Sequence, residues 1–233
     1  MPAEPTGQQP AHQDPQQGTD SQITLEDFDL NRDHLHQAAR AGVVAALNIT
    51  PYHPVTARGF VQWADTVASL RKQLSELGWE LTDHQNSPRV ITPDKHRSIM
   101  VAAGDKNTGR KGKPPRFARR RGPATRVSVE VNGQQTLPLR ELQEGLELNQ
   151  LRHRNGTAGQ PETWVLLYCW VPEERRVHLE LSLPSAMDDE GQVTEWAHRI
   201  PVDDLMLDAE DLGDGVDMAA AAQDVDFRIT EVS

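Results

Sequence analysis

Between residues 30 and 47, apolar and small side chains recur at intervals of three and four: Leu35, Ala38, Ala39, Gly42, Val43, Ala46 and Leu47 fall on one stripe. That period predicts a helix capped by Asn31 or Asp29, and its small residues invite close approach by another element. Pro51 and Pro54 end it. A second helix is predicted over 56–77, where Phe60, Trp63, Ala64, Val67, Leu70, Leu74 and Leu77 share a face and Gly78 supplies a terminating glycine.

Past Gly78 the period falls toward two. Residues 79–81, 89–92 and 98–103 read as short strands between polar turns, and 126–131 as a fourth, with Val127, Val129 and Val131 on one face. Leu139, Leu142 and Leu146 predict a helix over 137–152. Residues 163–171 are apolar on both faces, as a central strand requires. In 176–183, Val177, Leu179, Leu181 and Leu183 alternate with His178, Glu180 and Ser182, which predicts one wet face. A further strand spans 193–202, and a final one is read at 225–232.

Strands adjoin one another instead of alternating with helices. The expectation is therefore α+β: two N-terminal helices packed on a largely antiparallel sheet of about six to eight strands, with a long basic loop over 104–126. Residues 1–22 are Pro, Gln, Gly and acids with no aliphatic side chain beyond Met1 except Ala, so they predict a disordered tail. Residues 23–233 then form one domain, ending in an acidic segment, 203–233.

Charge sharpens this picture at one place. The chain carries a net charge of −11, yet Lys106, Arg110, Lys111, Lys113, Arg116, Arg119, Arg120, Arg121 and Arg126 follow one another without an intervening acid. Those nine leave 15 of the 24 Lys and Arg residues to face all 35 Asp and Glu. A local field opposed to the global one marks a surface for an anionic partner. Arginine forks suit phosphate, and Phe117 within the run offers a ring on which a base can stack. From Asp188 to Glu231 there are 14 acids against Arg199 and Arg228. Such a segment serves solubility or competes internally for the basic loop.

The remaining candidates for chemistry fail on spacing. Gly104 and Gly109 stand as in a phosphate-binding loop, but Arg110 and Lys111 occupy the Lys and Ser/Thr positions, and Gly112, Pro114 and Pro115 forbid the helix that must follow. Around Asp208 and Gly213, Leu212 and Ala219 sit where a calcium loop needs oxygen ligands. His178, Glu180 and Ser182 are the residue types of nucleophilic catalysis, but same-face strand neighbours lie about 7 Å apart. They are expected to be solvent-facing. Asp83, Asp94, Asp105, Glu130 and Glu180 supply carboxylates for a metal-dependent phosphodiesterase, without the accompanying acid-x-Lys. Nine histidines show no paired zinc spacing.

The single cysteine, Cys169, excludes an intrachain disulfide and suits a reducing compartment. No apolar run reaches membrane-spanning length, and no signal-peptide pattern opens the chain, so a cytoplasmic protein without a membrane partner is expected. The resulting expectation is a non-enzymatic module without a cofactor, whose basic loop contacts nucleic acid. The alternative is an adaptor whose loop docks an acidic protein or a second copy's acidic end; a metal-dependent phosphodiesterase is the third reading.

Overall fold

The computed structural model describes residues 23–83, 86–135 and 160–212. The tail at 1–22, the helix read over 137–152 and the strand read at 225–232 lie outside the described residues, as does most of the acidic segment.

Two helices come first, α1 (Arg32–Leu47) and α2 (Ala57–Glu76). Asn31 caps α1 reciprocally: its side chain accepts from the His34 amide, and its own amide donates to His34 Nδ1. The small-residue stripe of α1 (Ala38, Ala39, Gly42, Ala46) is buried, and α2 is the element that approaches it. On α2 the inner face is Thr66, Val67, Leu70 and Leu74. Phe60 and Leu77, expected in that stripe, are 63% and 45% exposed.

Six strands form one mixed sheet in sequential order: β1 (Glu80–Thr82), β2 (Arg89–Ile91), β3 (Arg97–Ala103), β4 (Glu162–Val171), β5 (Arg176–Met187) and β6 (Val193–Met206). Every neighbouring pair is antiparallel except β3 and β4, which run parallel. A parallel pair needs a crossover connection. Part of it is α3 (Pro123–Gln135), a helix where alternating valines predicted a strand at 126–131. The buried positions of α3 explain the difference. Thr125, Ser128, Val129, Val131 and Asn132 are buried at helical spacings, and three of the five are polar.

Two of those polar side chains are tied down by hydrogen bonds. Asn132 bonds the backbone of Thr163 and Pro184, while Ser128 Oγ donates to Ala124 O and accepts from Arg89 Nη2 at 2.7 Å. A hydrophobicity pattern cannot display a helix whose buried face is held by hydrogen bonds.

The sheet is covered on both sides. One face packs Ile99, Val101, Trp164, Leu166, Leu179 and Leu181 against α1 and α2. The other carries a smaller cluster of Met100, Ala102, Val165, Leu167 and Val193, closed by Phe117. A short helix, α4 (Ala209–Leu212), returns to α1, where Arg40 pairs with Asp211. No helix among the described residues is long and apolar enough to cross a membrane.

Candidate functional site

Residues 105–122 contain turns but no helix or strand, and 123–126 already belong to α3. The segment nevertheless has a fixed path across the second face of the sheet. Gly104 pairs with Phe117 in an antiparallel bridge, the Asp105 amide donates to Arg116 O (2.9 Å), and the Ala118 amide donates to Ala103 O (2.9 Å). Donors at and before β6 take up loop carbonyls in succession. Gln192 Nε2 donates to Phe117 O (3.1 Å), Trp196 Nε1 to Pro115 O (3.0 Å), and Arg199 Nη2 to Arg110 O (3.1 Å). The Arg121 amide closes the run on Gly191 O (3.0 Å). A polar backbone laid against a sheet must find such partners or lose the hydrogen bonds it made with water.

The centre of this anchorage is Glu180, which is fully buried. Arg199 holds both carboxylate oxygens (Nη2–Oε2 2.7 Å, Nε–Oε1 3.1 Å), Ser182 Oγ donates to Oε1 (2.6 Å), and the Gly109 amide donates to Oε2 (2.7 Å). Gly109 has φ +72°, and a Cβ there would lie 2.9 Å from Leu179 O, so glycine alone allows this approach. The loop that superficially resembles a phosphate cradle thus grips the protein's own carboxylate.

Burial of this row corrects the solvent-facing expectation. His178 and Ser182 are 3% and 0% exposed, because the loop, not water, covers that face of β5. The spacing argument also gives way: Glu180 is long enough to lean along the strand and meet Ser182. No triad results. His178 Nδ1 bonds Asp204 (2.7 Å) and its Nε2 faces Arg110 Nη2 (3.3 Å), while Ser182 is committed to Glu180.

The carboxylates weighed for a metal are likewise dispersed. Asp83 pairs with Arg71, Asp94 with Thr92 and His96, Asp105 with Asn107, and Glu180 with Arg199; Glu130 is exposed on α3. Among the described residues no three His, Cys, Asp or Glu side chains are grouped to hold a metal ion. Hydrogen bonds hold the Asp83 and Asp94 carboxyls below their ordinary values, from Arg71 in the first case and from Thr92 and the His96 amide in the second.

The backbone is turned inward and most of the basic side chains lie at the surface, with Arg110 reaching back to His178 Nε2 (3.3 Å). Lys106, Arg110, Lys111, Lys113, Arg116, Arg119 and Arg120 are all exposed. Arg120 meets Glu190 (3.0 Å) and Arg126 meets Asp189 (2.9 Å), ion pairs at the rim whose acids are largely solvated and which contribute little. Phe117 is 2% exposed, edge-on to Trp196 with Arg121 over its ring at 5.0 Å, so its ring is an anchor of the loop. Three of the described acids of the C-terminal segment pair elsewhere: Asp203 with Arg32, Asp204 with Arg176 and His178, and Asp211 with Arg40.

Cys169 lies at the edge of this region. Burial, with Asp105 nearby, pushes its thiol up to about 11 against a smaller opposing effect of Arg110. The thiolate is the nucleophile. Alkylation by a neutral maleimide is therefore expected to be slow at pH 8 and to keep accelerating toward pH 11. A rate that levels off near pH 9, as for a free thiol, contradicts this environment.

Of the residues that hold the loop, sequence reasoning missed Arg199 and Trp196, and it singled out Glu180 and Ser182 for a solvent-facing row and not for anchorage. The signal available was a Glu on the polar face of a strand whose other face is apolar. No family model, curated protein or solved structure matches this chain, so the functional reading rests on its own geometry.

Proposed function

We propose that this protein is a non-enzymatic nucleic-acid-binding module whose contact surface is the basic segment after β3. One observation carries the reading: the buried carboxylate of Glu180, on β5, pins the segment's backbone, while seven cationic side chains remain exposed. Binding then does not have to offset the entropy of ordering a flexible arm, which favours affinity. Lys106, Arg110, Lys111, Lys113, Arg116, Arg119 and Arg120 make the phosphate contacts, and the Asp189 and Glu190 pairs yield to a polyanion. The single cysteine and these contacts fit a cytoplasmic setting.

The test is a fluorescence-polarisation titration with single- and double-stranded oligonucleotides across salt. Each phosphate neutralised contributes about −0.7 to the slope of log K against log salt on a single strand. The seven exposed cations predict a slope steeper than roughly −3. Binding that ignores salt, or no binding to any strand, overturns the reading. The second outcome would favour the alternative, an adaptor docking an acidic protein surface or a second copy, which light scattering at low ionic strength resolves.

A further inference from the structure

Beside the loop, a cleft of about 540 Å³ opens between the first turns of α2, the C-terminal ends of β3 and β4, and residues 118–121. That volume falls within the range of small-molecule sites. Arg58, Gln62 and Trp63 line it from α2, Tyr168 from β4, and Arg119 and Arg121 from the loop. In a chain of net charge −11, these walls carry three guanidinium groups and no carboxylate.

Two features suit the cleft to an anionic ligand with a flat apolar part. Arg121 is partly buried over Phe117, and its Nε, like Gln62 Nε2 in the same walls, is a buried donor with no acceptor. Burial lowers the Arg121 pKa, the neighbouring Arg119 acts in the same sense, and Tyr168 opposes them. The two orphan atoms themselves lie beneath the surface, but a partly desolvated guanidinium in the wall costs stability unless an anion sits beside it. The second feature is aromatic. Trp63 is fixed by its Nε1–H donating to Val101 O (3.2 Å), and Phe60 lies against it at 5.9 Å, yet Phe60 is 63% exposed. A rigid indole beside a solvent-facing phenyl ring forms a stacking platform. Arg58 is steadied by Ile49 O (3.1 Å), and Arg119 Nη2 reaches across to the backbone of α2 at Gly59.

We infer that this cleft binds a nucleoside monophosphate unit, with its phosphate between Arg58, Arg119 and Arg121 and its base against Phe60 and Trp63. The inference deepens the nucleic-acid reading and rests on it for the polymeric form of the ligand. The unit is either a free nucleotide or the 5′-terminal nucleotide of a strand whose remaining phosphates follow the loop.

The experiment is calorimetric titration of the full chain with adenosine 5′-monophosphate, adenosine and inorganic phosphate. Decadeoxyadenylates with and without a 5′-phosphate are titrated alongside. The monophosphate is expected to bind at least tenfold tighter than adenosine or phosphate alone. Arg58→Gln and Arg119→Gln should each weaken it about fivefold or more, with a fall in melting temperature of no more than about 4 °C, as expected where Arg58 loses its bond to Ile49 O. Both variants are used because Arg121→Gln, half inside the core, risks the fold. A preference for the 5′-phosphorylated decamer assigns the site to a strand end; equal decamers with retained monophosphate binding assign it to a free nucleotide. Monophosphate binding without any decamer binding removes the polymer reading and leaves the cleft a nucleotide site. Salt-sensitive decamers with no 5′-phosphate preference and no monophosphate binding overturn the inference and leave the loop reading intact. So does a monophosphate that binds no better than adenosine or phosphate, or one indifferent to both variants.

Discussion

Replacing Arg199 by Leu is expected to destabilise the protein by about 3 kcal/mol, at the lower end of the range for breaking a buried ion pair. The lower end applies because Arg199 retains 20% side-chain exposure, whereas Glu180 has none. Leucine leaves that carboxylate buried with only Ser182 and the Gly109 amide, and it strips the loop carbonyl of Arg110 of its donor. For a chain of this size the loss amounts to a fall of roughly 6–12 °C in melting temperature. The double variant Glu180→Leu with Arg199→Leu separates charge from anchorage. Removing both charges relieves the unpaired carboxylate, so stability should recover in part. It should not recover fully, because the Gly109 amide then has no acceptor. Full recovery would mean that the loop does not depend on this contact; no loss in the single variant would mean that the pair is solvated.

The second large effect concerns binding. Lys111, Lys113, Arg116 and Arg120 are exposed, and Arg120 alone among them has an ion-pair partner, Glu190, among the described residues. Changing all four to Gln should leave the melting temperature within about 1–2 °C, since exposed charges contribute little to folding. Affinity for a single-stranded oligonucleotide should fall at least a hundredfold near 0.1 M salt. The salt slope should become shallower by up to about 3, at 0.7 per contact removed. A loss of affinity with an unchanged slope would place the contacts elsewhere. An unchanged affinity would take the loop out of the interface.

Periodicity located α1, α2 and all six strands to within a few residues, in most cases because the element buries an apolar face; on the edge strand β1, Leu81 is instead largely exposed. It failed at α3 for a physical reason. Three of that helix's five buried positions are the polar Thr125, Ser128 and Asn132, and the last two are held by partners in β2, β4 and β5 that no local window contains. With α3 read as a strand, the crossover vanished, and with it the parallel pairing of β3 and β4.

The site shows the same limit. The positive charge of 106–126 is plain in the sequence, because charge is local. Its anchorage is not, because Glu180 lies 71 residues from Gly109 and 19 from Arg199. The alternation of β5 correctly separated the two faces. It could not tell that the polar face is covered by the loop, and so a buried network was mistaken for a wet surface.

The most direct test of this account is backbone hydrogen exchange across 104–122, in the free protein and with a single-stranded oligonucleotide. The loop amides bonded to protein acceptors, those of Asp105, Gly109, Ala118 and Arg121, should already be protected in the free state and should change little on binding. Free-state exchange at the rate of an unstructured chain, with protection appearing only when the strand is added, would contradict a pre-anchored loop and identify an arm that folds on its ligand.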